Sequence, residues 1–179
     1  MRNLKALNTE KSIESSKLVF DETWVDKFEK WGLYLLCFYV FVLPFTIFFD
    51  PYRDINKTGN EYYIVFFLSI ISTYIFYRKA TEKKLTEIIG KSDIDKNKEL
   101  VNNYCSELGY EKYRNSKILL IYNSENLFGW GSQHQVSRIF MFKENKIYFT
   151  IIKDGFKLNF PVLFSQFILK NDLLKLLQK

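Results

Sequence analysis

Histidine and cysteine are scarce in this sequence, which has one histidine and two cysteines in 179 residues. A zinc site needs several His, Cys or acidic ligands at close spacing, and none stands at ligand spacing from His134, so we expect no metal site. Cys37 lies in an apolar run and Cys105 in a charged stretch, so we expect no disulfide between them. Catalysis by His134 would need a nucleophile and an orienting carboxylate, but the spacing of Ser132 and Glu125 is not diagnostic. We therefore predict a non-enzymatic protein without a catalytic residue, metal or cofactor.

Charged residues are absent from two long apolar runs, at 31–49 and 62–77. A helix needs roughly 20 apolar residues to cross a bilayer core about 30 Å thick. We therefore predict a membrane α-helical hairpin of two transmembrane helices. Ionisable residues inside a span usually mark a proton relay or an ion pathway, so their absence argues against a transporter or a pump. It leaves open a pore formed by several copies of the chain.

Proline is also rare, and one of the three prolines, Pro44, lies inside the first run. A proline removes one backbone donor and crowds the carbonyl four residues back, which predicts a kink between Val40 and Pro44. Such kinks are common in membrane helices and usually have a structural role. The functional alternative is that Pro44 acts as a hinge within the membrane.

The net charge of +6 lies mainly after the second run, where residues 78–179 hold 18 basic and 11 acidic side chains. Lysine and arginine next to a span favour the cytoplasmic side. The basic residues nearest the spans are Lys27, Lys30, Arg78, Lys79, Lys83 and Lys84. We therefore predict a multi-pass protein of the inner (plasma) membrane, with cytoplasmic N- and C-termini and with loop 50–61 outside.

Outside the spans, the apolar pattern changes along the chain. Residues 17–30 predict an amphipathic helix that starts at Ser16 and lies at the membrane surface, and residues 93–108 predict another helix. From Lys117 the pattern alternates as in β-strands, and it returns to a helical stripe at 165–179. The four predicted strands are 117–122, 136–142, 145–152 and 155–164. This pattern predicts an α+β domain with a four-stranded, mainly antiparallel sheet and a C-terminal helix.

The sequence thus divides into three stretches. Residues 1–30 form an N-terminal arm and interfacial helix, of which the first 16 residues are expected to be mobile or loosely attached. Residues 31–77 form the transmembrane hairpin, and residues 78–179 form the cytosolic α+β domain. Within this domain, residues 78–89 are expected to continue the second span as a helix that is capped by Gly90.

A glycine-flanked tryptophan, Trp130, lies in the polar segment 126–135 between two predicted strands. Glycine on both sides allows a partner to approach closely, and an exposed tryptophan is typical of recognition surfaces. The structural alternative is that Trp130 closes the open end of the sheet. The residues predicted to bind a ligand or partner are Trp130, Ser132, Gln133, His134, Arg138 and Lys153.

Arg138 and Trp130 could together recognise a nucleotide or another anion, through a guanidinium contact and ring stacking. The basic residues of the domain also suit anionic lipid headgroups, as expected for positive charge close to a span. The sequence has no helix-turn-helix, zinc-finger or RNA-binding motif, so we expect no sequence-specific nucleic acid.

These patterns favour a membrane-anchored binding or adaptor protein whose cytosolic domain engages a protein partner or the membrane surface. Two alternatives stay open. In the first, the chain is a ligand-gated membrane effector that forms a homo-oligomer on an anionic, nucleotide-type signal and then disrupts the bilayer. In the second and weaker one, it is an immunity-type protein with a defence function against a membrane-acting toxin. The partners considered are the lipid bilayer, further copies of the chain, a protein and an anionic small molecule.

Overall fold

The structure, a computed structural model, describes residues 4–52, 59–91, 93–125, 135–154 and 160–178. Within them the chain forms five α-helices, one short 3₁₀ turn (Leu4–Ala6) and one sheet of five antiparallel strands. The helices are α1 (Thr9–Glu14), α2 (Trp24–Phe48), α3 (Asn60–Ala80), α4 (Ile94–Glu107) and α5 (Ser165–Gln178). The strands are β1 (Thr86–Ile89), β2 (Glu111–Ser116), β3 (Leu119–Glu125), β4 (Gln135–Lys143) and β5 (Lys146–Asp154).

Helix α2 begins before the apolar run that predicts it. The Thr23 hydroxyl accepts a hydrogen bond from the Asp26 N–H at 3.2 Å, and the Asp26 carboxylate accepts one from the Thr23 N–H at 3.0 Å. This capping box satisfies two donors at the helix start. Ser16 does not start a helix, because its φ is 51° and residues 17–23 are not helical. The predicted helix start at Ser16 is therefore wrong.

Both α2 and α3 are long and apolar enough to cross a membrane. Only 17% of the most apolar window of each helix is buried inside the protein. Large apolar side chains such as Leu35, Phe38 and Phe67 are exposed, and apolar surface in water costs roughly 25 cal/mol per Å². The two predicted spans are thus confirmed as helices of suitable length and apolarity.

Small and hydroxyl-bearing side chains join the two long helices. The Ser72 hydroxyl donates to the Cys37 carbonyl at 2.8 Å, and the Ser69 hydroxyl donates to the Phe41 carbonyl at 3.3 Å. Such bonds are common between helices in a bilayer, where small side chains also allow close approach. Pro44 is buried in α2, which is helical on both sides of it. A hinge at Pro44 stays a prediction.

The sheet has the order β1-β5-β4-β3-β2, and each neighbouring pair is antiparallel. Strands β3, β4 and β5 correspond to the predicted strands at 117–122, 136–142 and 145–152. The prediction of four strands is wrong, because β1 and β2 also form. The predicted strand at 155–164 is not seen at residues 160–164, where Pro161 has no backbone donor for a ladder. Residues 155–159 lie outside the described residues.

Residues 86–89 form strand β1 instead of the predicted helix. This strand pairs with β5 and places Ile88 opposite Ile147, and both side chains are buried. Gly90 therefore does not cap a helix. It follows the strand at a point where an added Cβ would collide with the buried side chain of Asn97, so a side chain here would require Asn97 to move.

Both faces of the sheet are covered. Helices α4 and α5 cover one face, where Cys105 and Leu169 belong to the same buried cluster as Phe140 and Phe149. The opposite face is covered by residues 4–20, which we call the arm. We refer to the sheet with the arm, α4 and α5 as the three-layer unit.

The arm is packed, which overturns the expectation of a mobile or loosely attached segment. Leu4, Ile13 and Leu18 are 7%, 8% and 3% exposed and belong to a buried cluster with Ile139 and Met141 of β4. The arm also pairs with the chain that leaves α3. The Leu18 N–H donates to the Lys83 carbonyl at 2.8 Å, and the Leu85 N–H donates to the Ser16 carbonyl at 3.0 Å.

A buried ion pair lies where α3 meets the sheet. Lys79 Nζ is 3.0 Å from Glu82 Oε2, and the two side chains are 4% and 6% exposed. The Glu82 carbonyl also accepts a hydrogen bond from the Thr150 hydroxyl of β5 at 3.1 Å. The end of α3 is therefore held to the sheet by a charged pair that water does not solvate.

We predict that Glu82→Gln lowers the free energy of unfolding by about 3–5 kcal/mol, because it leaves the Lys79 charge buried without its carboxylate. Urea unfolding of the detergent-solubilised protein, followed by circular dichroism, measures this change. The control is Glu87→Gln, which removes an ion pair of 2.7 Å to Lys146 that is open to solvent. That variant should change stability little, and equal small losses in both variants would contradict the prediction.

Candidate functional site

Four of the six predicted binding residues, Trp130, Ser132, Gln133 and His134, lie outside the described residues. The strand ends on either side of them are paired, since Glu125 of β3 lies opposite Gln135 of β4. Gln135 in turn lies opposite Asp154 at the end of β5. A site around Trp130 stays a prediction.

The other two predicted residues, Arg138 and Lys153, lie on neighbouring strands. Arg138 of β4 is opposite Ile151, and Lys153 is two residues further along β5. Such diagonal neighbours have Cα atoms about 7–8 Å apart and share one face of the sheet. Both side chains are half-buried.

Among the described residues, Arg138 stacks on the ring of Tyr110, while its predicted pairing with Trp130 lies outside the described residues. Its guanidinium carbon lies 3.8 Å from the ring centroid of Tyr110, and its Nη1 donates to the Ser124 hydroxyl at 2.7 Å. Stacking on a tyrosine with a side-chain acceptor nearby is a stable arrangement for an arginine in a fold. This arrangement explains the position of Arg138 without a ligand.

Two ionisable side chains lie under this part of the sheet, on α4. Burial raises the pKa of the Cys105 thiol to about 12, and the Arg138 charge lowers it by a smaller amount. Burial, and then the 2.9 Å hydrogen bond to the Asp172 carboxylate, raises the pKa of Tyr104. Both groups are therefore neutral at physiological pH, and the Tyr104 hydroxyl links α4 to α5. Both cysteines of the chain are free and buried.

The second candidate site lies at the junction, which we define as residues 74–86 and 162–170. The Tyr74 hydroxyl donates to the Leu163 carbonyl at 2.9 Å, and the Tyr74 and Phe164 rings stack with centroids 5.9 Å apart. Arg78 donates to the Val162 carbonyl through Nε at 3.2 Å and through Nη2 at 3.0 Å. These contacts hold the chain before α5 against the last turns of α3.

Gln166 extends this network to the sheet. Its Oε1 accepts from Arg78 Nη2 at 3.0 Å, while its Nε2 donates to the Thr86 hydroxyl at 2.9 Å and to the Lys84 carbonyl at 3.4 Å. One amide therefore connects α3, β1 and α5. An amide suits this position because it offers an acceptor and two donors at once.

A cavity of about 490 Å³ lies within the junction. Aromatic rings line one part of it: Tyr74 and Tyr77 of α3, Phe164 just before α5, and Phe167 in its first turn. This volume is within the usual range of small-molecule sites, roughly 300–1,000 Å³. Phe164 and Phe167 are 64% and 67% exposed, so the aromatic part is open to the outside.

The cavity is basic. Arg78, Lys84 and Lys170 line it, and no acidic residue does so among the described residues. Two neighbouring lysines have their charges compensated elsewhere, because Lys79 pairs with Glu82 and Lys83 pairs with Glu22 at 2.9 Å. The arrangement can therefore bind an anion next to an apolar surface.

Sequence reasoning missed this cavity. From the sequence, Arg78 and Lys84 are predicted only to orient a span, and Phe164 only to end a strand. The sequence does show that Arg78 directly follows an uncharged run and that aromatic residues precede α5. It gives no sign that the two segments meet, because they are about 85 residues apart in the chain.

Within the parts of the chain that the structure describes, no group of three or more His, Cys, Asp or Glu side chains could hold a metal ion. Comparison with models of known protein families, with curated proteins and with solved structures finds no match for this chain.

We predict that Cys105 of the folded protein is nearly inert to iodoacetamide at pH 8. Only the thiolate reacts, and a pKa of about 12 makes its population about a thousandfold smaller than for a free cysteine. The reaction should accelerate about tenfold per pH unit while the protein stays folded, because the protonated form dominates below the raised pKa.

A Cys37→Ala variant, which leaves Cys105 as the only thiol, allows this measurement by mass spectrometry. A further Lys143→Cys substitution at an exposed position gives the reference rate. Complete modification of Cys105 within minutes at pH 8, without unfolding, would contradict the prediction.

Proposed function

We propose that this chain is a non-enzymatic, membrane-anchored binding protein of the inner (plasma) membrane. In this proposal α2 and α3 form the anchor, and the three-layer unit lies on the cytosolic surface of the bilayer and engages that surface. The observation that carries the proposal is the set of contacts between the last turns of α3 and residues 162–166. These contacts hold the three-layer unit against the last turns of α3, next to the apolar surface of that helix.

The exposed aromatic side chains near this contact support the proposal. Trp24 and Trp31, at the start of α2, are 76% and 67% exposed. The rings of Tyr34 and Phe76 lie 4.7 Å apart, so the start of α2 is next to the end of α3. Aromatic residues favour the boundary between hydrocarbon and headgroups. A membrane surface at this level would cover side chains that otherwise face water.

The packing of the arm supports termini on one side of the membrane. The arm precedes α2 and the sheet follows α3, yet both contribute to one buried cluster. If the two helices cross a bilayer, the arm and the sheet must therefore be on the same side. The excess of basic residues after α3 favours the cytoplasm for that side.

We predict that the loop between α2 and α3 is outside and the three-layer unit inside. In a background without native cysteines (Cys37→Ala, Cys105→Ala), a Tyr52→Cys variant should react with a membrane-impermeant maleimide on intact spheroplasts. A Lys143→Cys variant should react only after the membrane is opened. Both positions are exposed in the structure. The reverse pattern, or labelling of both on intact spheroplasts, would contradict the proposed placement.

We also predict that the protein solubilised in detergent is a monomer or a dimer of the 21.5 kDa chain. Nucleotide second messengers should not change the protein mass of this assembly. Light scattering corrected for bound detergent measures this mass. An anchor needs no higher assembly, whereas the ligand-gated effector needs a closed homo-oligomer. A discrete assembly of four or more copies, stabilised by a nucleotide, would overturn the proposal in favour of that effector.

A further inference from the structure

We infer that the junction cavity binds the headgroup of an anionic phospholipid from the cytosolic leaflet. The inference rests on the proposed function, because a lipid headgroup meets the cavity only if α3 ends at the cytosolic surface. It adds a ligand class and a site to that proposal.

The charge of the cavity favours an anion. Lys84 and Lys170 line it, and neither forms an ion pair with another described residue. The Arg78 guanidinium binds two neutral acceptors, the Val162 carbonyl and the Gln166 side chain, so these contacts leave its charge uncompensated. These contacts use Nε and Nη2, and a guanidinium has five N–H donors. A phosphate among these three cations would be neutralised by their positive charge and could accept hydrogen bonds from their N–H groups.

The apolar side of the cavity favours a lipid over a soluble anion. Tyr74 lies four residues before Arg78, which is about 6 Å along the helix into the span. Its ring stacks on Phe164, so the residue just before α5 reaches that depth. Free phosphate would satisfy the cations but would leave the exposed rings of Phe164 and Phe167 in water. A phospholipid covers both, with its phosphate among the cations and its acyl chains along α3.

The volume of the cavity fits a lipid whose headgroup is bound inside the cavity and whose acyl chains lie outside it. Its volume of about 490 Å³ accepts a phosphoglycerol headgroup but not the acyl chains of the same molecule. The side chain of Tyr77, which also lines the cavity, is 60% exposed. A lipid with its headgroup in the cavity therefore has an open apolar path past Tyr77 along the outside of α3.

The test is native mass spectrometry of the full-length protein in detergent, titrated with phosphatidylglycerol or with phosphatidylcholine. We expect the wild-type chain to retain one phosphatidylglycerol more strongly than phosphatidylcholine. In Lys84→Gln/Lys170→Gln the affinity for phosphatidylglycerol should fall about tenfold or more, since each lysine near anionic lipid contributes about a factor of five. Arg78 is kept because it also holds the junction together.

The matched control is Lys117→Gln/Lys143→Gln, which removes the same charge at an exposed turn and at the exposed end of β4, away from the cavity. It should keep the wild-type lipid preference. Equal losses in both double variants would overturn the inference in favour of a general effect of net charge. Circular dichroism melting shows whether the cavity variant is folded, and Lys170→Gln alone, on the surface of α5, gives a second readout if it is not.

The last part of the test uses soluble anions as competitors. Inorganic phosphate and glycerol 3-phosphate at millimolar concentration should not displace the bound phosphatidylglycerol. If they displace it, the cavity is a soluble-anion site and the lipid assignment is wrong. If maleimide labelling confirms the topology but the lipid preference is absent, the inference fails alone. If the labelling pattern is reversed, the proposed function fails with it.

Discussion

A pair of backbone hydrogen bonds closes the base of the helical hairpin, and the rest of the structure depends on it. The bonds join Leu18 to Lys83 and Leu85 to Ser16, so the segment that enters α2 is paired with the segment that leaves α3. The Lys83–Glu22 ion pair strengthens the same closure. Because of this pairing, the arm reaches the sheet face that α4 and α5 leave open. The three-layer unit therefore contains chain from both sides of the hairpin.

The charges around the end of α3 differ in role, although the sequence shows them as a single basic group. Lys79 is buried with Glu82, and Lys83 is paired with Glu22. Both lysines stabilise the fold and contribute little net charge to the surface. Arg78 and Lys84 line the cavity, together with Lys170 of α5. A rule that counts basic residues beside a span can orient the span, but it cannot separate the cations that are paired within the fold from those that line a cavity.

The parts of the fold that the sequence predicted are those with a strong local pattern. The two long apolar helices follow from long uncharged runs, and β3 to β5 follow from alternating apolar residues. Strand β2 has no such pattern, since its side chains are mostly exposed and it forms by pairing with β3. Strand β1 is only four residues long and follows residues that favour a helix, so its identity depends on pairing with β5. The cavity needs the contact of Tyr74 and Arg78 with residues 162–166, and no local pattern encodes a contact between segments so distant in the chain.

The packing of the arm determines the order in which parts of the protein can fold during synthesis. The Leu4 carbonyl accepts a hydrogen bond from Arg114, which is 110 residues later in the chain. At 5–20 residues per second, the ribosome needs roughly 5 to 20 s to make that stretch. During this interval both apolar helices are synthesised, while Leu4, Ile13 and Leu18 have no sheet to cover. Both long apolar helices are therefore made before the packing of the arm can finish, and the apolar side chains of the arm stay uncovered until the sheet strands have been synthesised.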